Sequence, residues 1–446
     1  MLALYFNTAL VNPPDKKAPE MNQNRRVFSA ALPLLVALAC SDKKTEVAHP
    51  TAAGPARVLI GATLPLTGAE AKAGGMFKQG YQLAIDEVNQ RGGLNLRGVK
   101  VPVELVVRDD KTQLDQVTAL TRKLLDEDKA DFLLGTFTSA LVAAGSAVAE
   151  EAHVPYVNGA GGVVDLYKRN FRYLFGVQPP IEQVSTSLML WLETAQKNGQ
   201  LPRPARIALL FENNNYGKSF RKGVTDLSAR ADHGAWNLVV DEPFELGTKD
   251  FSPHLAKVKA AHADVFLAGI HLTEYLELHQ QYLKSGLCHK VESYGTRGLE
   301  RQYENLFGAH GTDYLLVTSF WNARVGNKAL VKNFLDAYQA KYGEQPDWYH
   351  AMAYETARAL LTAIEHAGTV DRDLVRDKLA SLQMPSIMPT GMLSFPAEYG
   401  QHARFLLVVQ QNQPDGSHAI VFPTIAAVSP GEVPSPRCEQ RARAGR

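Results

Sequence analysis

The sequence predicts an α/β protein built from two doubly wound parallel sheets. Strand and helix patterns alternate along nearly the whole chain, in two successive runs. The first run opens at 58–63 with an almost continuous apolar segment, which is typical of a strand covered on both faces. An amphipathic helix over 77–89 and a strand over 103–108 follow. This β-α-β order implies parallel pairing and a ligand site at the carboxyl ends of the strands.

The other elements are assigned from the same patterns. The predicted strands are 131–135, 154–158, 206–211, 238–241, 265–268, 314–319, 391–395, 404–410 and 420–422. The predicted helices are 140–152, 182–197, 219–230, 251–261, 274–284, 329–342, 349–367 and 371–382, with a helical turn at 164–167. A segment that crosses between the two runs is expected at 175–180, where Pro179 and Pro180 interrupt the pattern.

Composition and motifs argue against several classes of protein. A chain of 446 residues is too long for one core, and its net charge of +1 without a basic stripe argues against a nucleic-acid partner. The histidines are scattered, and no carboxylate or Cys completes a metal set with His271 and His279, so no metal or other cofactor is expected. Ser219 and Lys222 have the serine-to-lysine spacing of penicillin-binding enzymes, but the chain lacks the other motifs of that family. The sequence therefore does not predict an enzyme.

A secretory signal is predicted near the N-terminus. Residues 1–20 show no signal character and are interpreted as an upstream extension. Arg25 and Arg26 precede 13 mostly apolar residues, which predicts a signal peptide over 21–40 that is too short to span a bilayer permanently. The arginine pair also resembles a twin-arginine export signal, so the export route stays open between the Sec and twin-arginine systems. Residues 41–55 are predicted to be a flexible tether.

The end of this signal resembles a bacterial lipobox, in which a Cys becomes lipidated and N-terminal. Cys40 follows Ala39 at the position that this chemistry requires. The alternative is an ordinary signal peptide cut near Ala39, with Cys40 as a bystander. Ser41 favours the outer membrane of a Gram-negative cell, although the leaflet stays open. The expected location is therefore the periplasm, with a lipid anchor as the contact with the membrane.

Two further cysteines, Cys288 and Cys438, could pair in an oxidising periplasm. Cys438 lies in a tail rich in Pro and Arg, however, and residues 427–446 are predicted to be disordered. A lone buried Cys288 is the preferred interpretation.

Several motifs resemble those of the leucine/isoleucine/valine-binding proteins, which are type I periplasmic solute-binding proteins that feed ABC importers. The resemblance covers roughly 57–422. The motifs that carry it are Leu-Pro-Leu-Thr-Gly at 64–68, Asn-Gln-Arg-Gly-Gly at 89–93, Val-Pro-Tyr-Val at 154–157, Asn-Tyr-Gly at 215–217 and Asp-Phe-Ser-Pro at 250–253.

The resemblance implies two lobes joined by a three-strand hinge, because the chain in this family crosses between lobes three times. Lobe one would comprise 56–178 and 315–396, and lobe two would comprise 179–314 and 397–426. A small molecule would bind in the cleft between them, with polar groups supplied by the loops that follow the strands.

From lobe one, Thr138 and Ser139 follow a strand and begin a helix, so they offer hydroxyls and backbone N–H groups suited to a carboxylate. The alternative is that Ser139 merely caps its own helix; the resemblance implies the ligand role. Ala160 and Gly162 lie in a Gly-rich loop where relatives carry a Thr at the position of Gly162, so backbone alone can serve there. A plain flexible loop is equally compatible. Tyr349 matches an aromatic residue of this lobe.

From lobe two, Tyr216 matches a Tyr that packs over the ligand, although it could be a turn aromatic packed on its neighbour. Ile270 stands where relatives carry an aromatic wall. Arg297 replaces an acidic residue that pairs with the ammonium of the ligand in amino-acid-binding relatives. A guanidinium there would repel an ammonium and favour a second anionic group. The alternative places Arg297 on the surface in a shifted loop.

These observations predict the extracytoplasmic solute-binding component of an ABC importer. Its partners would be the permease subunits and a small carboxylate-bearing ligand, namely a branched-chain amino acid or a related acid or amide, held by hinge closure. The alternative is an outer-membrane lipoprotein of the same fold that regulates a cell-envelope enzyme. A hydrolase is the third hypothesis, and no nucleophile with an adjacent base supports it.

Overall fold

A computed structural model describes residues 55–230, 232–300, 305–308, 310–405, 407–424 and 426–438. The upstream extension, the signal peptide, Cys40 and nearly all of the tether lie outside these residues. No helix in the described part of the chain is both long enough and apolar enough to cross a membrane.

The first sheet has five parallel strands in the order β4-β1-β5-β6-β7. Its elements run β1 (Val58–Leu64), α1 (Ala71–Gln90), β2 (Leu94–Leu96), β3 (Val99–Val101), β4 (Val103–Asp109), α2 (Leu114–Asp126), β5 (Phe132–Leu134), α3 (Ser139–Glu151), β6 (Tyr156–Asn158), a 3-10 turn (Val164–Arg169) and β7 (Leu174–Gly176). Every residue of β1 is buried, because helices cover both faces of a central parallel strand.

The second sheet has four parallel strands in the order β11-β10-β8-β9. Its elements run α4 (Ile181–Lys197), β8 (Ala205–Glu212), α5 (Asn215–Ser228), β9 (Trp236–Phe244), α6 (Ser252–Ala260), β10 (Val265–Gly269), α7 (Leu272–Lys284) and β11 (Val291–Ser293). The two sheets confirm the predicted α/β fold with doubly wound parallel sheets.

The rest of the chain returns to both sheets. Its elements run β12 (Leu316–Ser319), α8 (Lys328–Tyr342), α9 (Trp348–Ala367), α10 (Arg372–Ala380), β13 (Gln383–Pro385), β14 (Met392–Ser394), a 3-10 turn (Ala397–Tyr399), β15 (Val408–Asn412) and β16 (His418–Phe422). Strands β12, β15 and β16 form a small antiparallel sheet. Helix α9 packs against α1 so closely that a Cβ at Gly80 would lie 2.5 Å from the carbonyl oxygen of His350.

The chain passes between the two sheets beside a second segment. Gly176, at the end of β7, receives a hydrogen bond from the backbone N–H of Ala403 at 2.8 Å and donates one to the carbonyl of Gln401 at 3.1 Å. His402 stacks on Tyr167 with ring centroids 3.8 Å apart. These contacts fix the geometry of the connection that follows β7.

The C-terminal tail departs from its prediction. Cys288 and Cys438 form a disulfide, so the preference for a lone Cys288 was wrong. Arg437 is 3% exposed, forms an ion pair with Glu292 and donates to the carbonyl of Gly311. Because the disulfide and these bonds hold residues 426–438 against the second sheet, disorder was also the wrong prediction for this part of the tail.

Candidate functional site

A small cavity lies where the carboxyl ends of the first and second sheets face each other. It is lined by Phe137, Thr138, Ser139, Ala160, Gln178, Ile181, Tyr216, His271, Thr296, Arg297, Phe320 and Trp348. Most of these residues directly follow strands β5, β6, β8, β10 and β11, which is where ligand sites of parallel sheets lie. The cavity holds about 10 Å³ of free space, close to the least that accommodates one water molecule.

Helix α3 begins at the cavity with unused donors. Thr138 is its N-cap residue and its side chain makes no capping bond, while Ser139 is the first helical residue and is 7% exposed. Ser139 therefore does not cap the helix, which was the alternative to a ligand role. The first N–H groups of a helix have no partner within it and attract an anion. The start of α3 thus offers these N–H groups and two hydroxyls to one end of the cavity.

The loop before α3 is held by buried polar contacts. The Thr136 hydroxyl donates to Asp110 at 2.5 Å, and the Thr136 backbone N–H donates to the Tyr156 hydroxyl at 3.2 Å. Burial raises the pKa of Asp110 to about 6, against the hydrogen bonds from Thr136 and Thr112. These contacts position the residues that lead into Thr138.

His271 and Glu212 form a buried ion pair at the second sheet. Glu212 ends β8 and accepts from the His271 backbone N–H at 2.6 Å, from the His271 ring Nδ1 and from the Asn214 amide at 2.8 Å. Burial alone would raise the pKa of Glu212, but His271 outweighs it and the pKa is lowered. Burial alone would lower the pKa of His271, but Glu212 outweighs it and the pKa is raised. Both shifts favour the charged forms of this pair, and the ring of His271 lines the cavity.

Arg297 also lines the cavity, close enough to His271 to oppose the rise of its pKa, and is 1% exposed. Its Nε donates to the carbonyl of Ile270 at 3.1 Å, and its Nη1 donates to the Tyr349 hydroxyl. The guanidinium lies 5.7 Å from the ring centroid of Trp348 and 5.5 Å from that of Tyr349. These contacts are incompatible with a surface position, which was the alternative considered for Arg297.

The structure brings together five of the eight expected ligand residues. Thr138, Ser139, Ala160, Tyr216 and Arg297 line the cavity.

The other three residues, Gly162, Ile270 and Tyr349, lie behind the cavity wall. The carbonyl of Gly162 accepts from the backbone N–H of Ile181 at 3.0 Å. Ile270 and Tyr349 are fully buried and bond to Arg297, and the ring of Tyr349 also packs against those of Phe137 and Trp348.

Sequence reasoning missed several lining residues by one position. His271 adjoins Ile270, Thr296 adjoins Arg297, and Trp348 adjoins Tyr349. The loop of His271 could have been predicted, because it directly follows the parallel strand β10. Gln178, Ile181 and Phe320 carry no such signal, because none of them follows the end of a strand in this way: Gln178 lies between β7 and α4, Ile181 begins α4, and Phe320 follows β12 of the antiparallel sheet.

Four lining residues carry a buried polar atom without a hydrogen-bond partner. These atoms are Gln178 Oε1, the Tyr216 hydroxyl, Thr296 Oγ1 and Trp348 Nε1. Burial raises the pKa of Tyr216, and the nearby Thr296 hydroxyl opposes this rise. The two hydroxyls nevertheless lack the geometry of a hydrogen bond. Since buried polar groups are normally paired, these atoms indicate a site for a polar molecule.

Acidic side chains surround the cavity without lining it. Glu70 precedes α1 and is 3% exposed; burial raises its pKa, while His271 and Arg297 oppose the rise. Glu300 accepts the backbone N–H groups of Gly298 and Leu299 at 2.7 and 3.1 Å, and burial likewise raises its pKa. In the described part of the chain, no group of three or more His, Cys, Asp or Glu side chains could hold a metal ion.

Comparisons with known proteins agree with this architecture. A family model described as periplasmic binding protein matches residues 57–417. The Leu/Ile/Val-binding protein homolog 8 of Brucella abortus (strain 2308) is 27% identical over 390 residues, which cover 84% of this chain and 92% of that protein.

Two solved structures share the fold. LivJ from Streptococcus pneumoniae, a branched-chain amino acid transporter substrate-binding protein in complex with isoleucine, superposes with a TM-score of 0.70 at 24% identity, covering 82% of this chain and all of LivJ. A solute-binding protein of an ABC transporter from R. palustris in complex with benzoate gives 0.69 at 19% identity, covering 82% and 95%.

Proposed function

This chain belongs to the periplasmic binding protein family, whose members bind solutes and are not enzymes, and on that premise we propose that it is the extracytoplasmic ligand-binding component of an ABC importer. Its ligand is a small molecule with a carboxylate, bound in the cavity between the two sheets. The permease subunits of the importer are the partners. The matches to Leu/Ile/Val-binding homologs and to solute-binding structures support this proposal.

The observation that carries the proposal is the uncapped start of α3. Its free N–H groups and the hydroxyls of Thr138 and Ser139 converge on a buried cavity that also contains four unpartnered polar atoms. A carboxylate would satisfy the N–H groups and would interact favourably with the positive end of the helix dipole.

Ligand entry requires the two sheets to separate. About 10 Å³ of free space is too little for a molecule of several non-hydrogen atoms. The proposed lobes are 56–178 with 315–396 and 179–314 with 397–426, and they move about the segments that connect them. In the closed form they touch directly through Arg297 and Tyr349, and through the Thr273 hydroxyl, which donates to the carbonyl of Ala69 at 2.7 Å.

The ligand class extends from branched-chain amino acids to related acids and amides. The names of the curated relatives favour the amino acids, and the benzoate complex of one structural neighbour shows that the fold also accepts an acid without an ammonium. In this chain, a guanidinium and an imidazolium line the cavity and no acidic residue does. The acids are therefore favoured over simple amino acids.

Anchoring by Cys40 belongs to the same proposal. The protein would be exported, lipidated at Cys40 and held at the periplasmic face of a membrane by a tether over 41–55.

The direct test is a thermal-shift screen with amino acids, dicarboxylates, aromatic acids and amides. A ligand present at one hundred times its dissociation constant adds about 2.7 kcal/mol to the free energy of unfolding, which raises the melting temperature by a few degrees. We expect at least one carboxylate to do this. If none of the four classes shifts the melting temperature, the proposal is wrong, and the result favours the alternative of a lipoprotein that regulates a cell-envelope enzyme.

A further inference from the structure

The wall that the second sheet contributes to the cavity carries an excess of positive charge. Arg297, His271 and Glu212 are buried together, and Glu212 is already engaged by His271 and Asn214. When all three groups are ionised, they sum to one positive charge. The Nε2 of His271 and the Nη2 of Arg297 donate no hydrogen bond to any described residue, so both can donate to a ligand.

Three of the four unpartnered uncharged atoms in the wall can donate a hydrogen bond. Trp348 Nε1 can only donate, and the hydroxyls of Tyr216 and Thr296 can donate as well as accept. Gln178 Oε1 is the one unpartnered lining atom that can only accept. A cavity with a helix start on the wall of the first sheet and two cations on the wall of the second sheet therefore fits a molecule with acceptor atoms at both ends.

This wall offers an ammonium no carboxylate. None of the lining residues is acidic. Glu274 Oε2 and Glu300 Oε1 are buried without a hydrogen-bond partner, but neither residue lines the cavity. Glu274 accepts the backbone N–H of Gly247 at 2.9 Å, and Glu300 accepts two backbone N–H groups. Burial favours the neutral forms of Glu70 and Glu300, which reduces their repulsion of an anion.

We infer that the ligand is a small dicarboxylic acid without an ammonium, with one carboxylate at Thr138 and Ser139 and the other between Arg297 and His271. This inference rests on the proposed function and names the ligand class of the same site. The ring of Phe137, next to Thr138, lies 6.2 Å from the ring of His271, so a short linker joins the two ends. Charge-assisted bonds to both ends would fix the orientation of the ligand.

The test is calorimetry on the mature protein with two matched series of probes. Succinate is compared with butyrate and aspartate, and glutarate with pentanoate and glutamate; leucine completes the panel. Within each series, the second compound lacks one carboxylate and the third adds an ammonium. We expect at least one dicarboxylate to bind tenfold or more tightly than both of its matched compounds, since a hydrogen bond to a charged group contributes about 1.5–3 kcal/mol.

Variants then test whether Arg297 and His271 bind the second carboxylate of the ligand. Arg297→Gln should weaken dicarboxylate binding tenfold or more and change monocarboxylate binding less than threefold. His271→Gln alone would leave Glu212 buried and unpaired, so the double variant Glu212→Gln, His271→Gln is the appropriate change, and it should have the same effect. Melting temperatures of the unliganded variants show whether each one folds.

The outcomes separate this inference from the proposed function. Tight binding of leucine, aspartate or glutamate without preference for a dicarboxylate overturns the inference and leaves the solute-binding role intact. Equal affinity for a dicarboxylate and its monocarboxylate also overturns it. Absence of binding by every probe here and in the thermal-shift screen overturns both.

Discussion

Arg297 links the two sides of the cleft and also sets its charge. Its Nη1 donates to Tyr349 on α9, its Nε donates to Ile270, and it lies over the faces of two aromatic rings. A buried guanidinium needs such partners, because an unpaired charge in a protein interior is costly. The remaining nitrogen is available to a ligand, so Arg297 can couple ligand binding to closure of the cleft.

Replacing Arg297 by Glu should therefore reverse the preference of the site. We expect affinity for the native acid to fall tenfold or more and affinity for leucine to rise, because a carboxylate would attract an ammonium where the guanidinium repels it. Calorimetry with both ligands measures the change, and Arg297→Gln controls for the loss of the positive charge alone. If the wild type already binds leucine tightly and Arg297→Ala leaves that binding unaltered, Arg297 does not select the ligand.

Asp110 predicts a dependence of stability on pH. Its pKa is raised from 3.8 to about 6 by burial, so the native state binds the proton more tightly than the unfolded state. Asp110 is protonated in both states at pH values well below 3.8. Between pH 3.8 and about 6 the unfolded state releases its proton before the native state does, so the free energy of unfolding falls, by at most about 3 kcal/mol. Asp110→Asn should remove this loss and be more stable than wild type at pH 7.5.

Chemical denaturation at pH 4 and pH 7.5 checks this prediction. The amide of Asn keeps an oxygen that can accept the backbone N–H of Thr112, so the contact is largely preserved. Identical differences between wild type and Asp110→Asn at the two pH values would contradict the assignment.

A residue that lines the cavity could be predicted where the sequence on either side of it indicates its position. Thr138 and Ser139 are polar residues that follow a buried strand and begin a helix, and both line the cavity. His271 was considered only as a metal ligand, because its actual partner, Glu212, is 59 positions away and no local pattern connects the two. Pairings over such distances depend on the register of strands, which the sequence does not display.

Strand β11 shows why some short strands were not predicted. Its three residues are Val-Glu-Ser, a pattern with too little apolar character to indicate a buried strand. Glu292 is nevertheless 2% exposed, because Arg437 from the C-terminal tail neutralises it. Helix α2 was also missed, although it buries Val117, Thr121 and Leu124 at a spacing that is typical of a helix.

The tail is expected to contribute strongly to stability through its disulfide. The cross-link joins residues 150 positions apart, and a loop of this size restricts the unfolded chain by an amount equivalent to about 5 kcal/mol in the chain-entropy model. The double variant Cys288→Ser, Cys438→Ser should therefore unfold at a lower temperature, with a loss of about 2–5 kcal/mol.

Thermal melts of wild type with and without a reductant provide the comparison. Reduced wild type should behave like the double variant, and the reductant should leave the double variant unchanged. Equal melting temperatures for oxidised and reduced wild type would show that the tail contributes little.

At the scale of the whole molecule, membrane attachment is predicted to depend on one residue. Cys40→Ala should release the protein from the membrane into the soluble periplasmic fraction, because the lipid would be its only anchor. Fractionation of cells that express wild type and Cys40→Ala, with Cys288→Ser as a control that keeps the predicted lipidation site, measures this. Unchanged membrane fractionation of Cys40→Ala would exclude a lipid anchor at this position.

The alternation of strands and helices made the two-sheet architecture predictable over the whole chain. The site between the sheets was predictable only in part, because its walls combine residues from both sheets with residues such as Gln178 and Phe320 from the connecting segments. A closed cavity of this kind implies that binding and closure occur together. We propose that a ligand carboxylate rests on the start of α3 in this cavity.

The measurement that tests this claim most directly is calorimetry of Ser139→Ala with the carboxylate that gives the largest thermal shift. Ser252→Ala is the matched control, because Ser252 also begins a helix but is exposed and remote from the cavity residues. We predict that Ser139→Ala weakens binding about tenfold or more, through loss of a hydrogen bond worth about 1.5–3 kcal/mol, while Ser252→Ala binds as wild type does. An unchanged dissociation constant for a folded Ser139→Ala protein would contradict the claim.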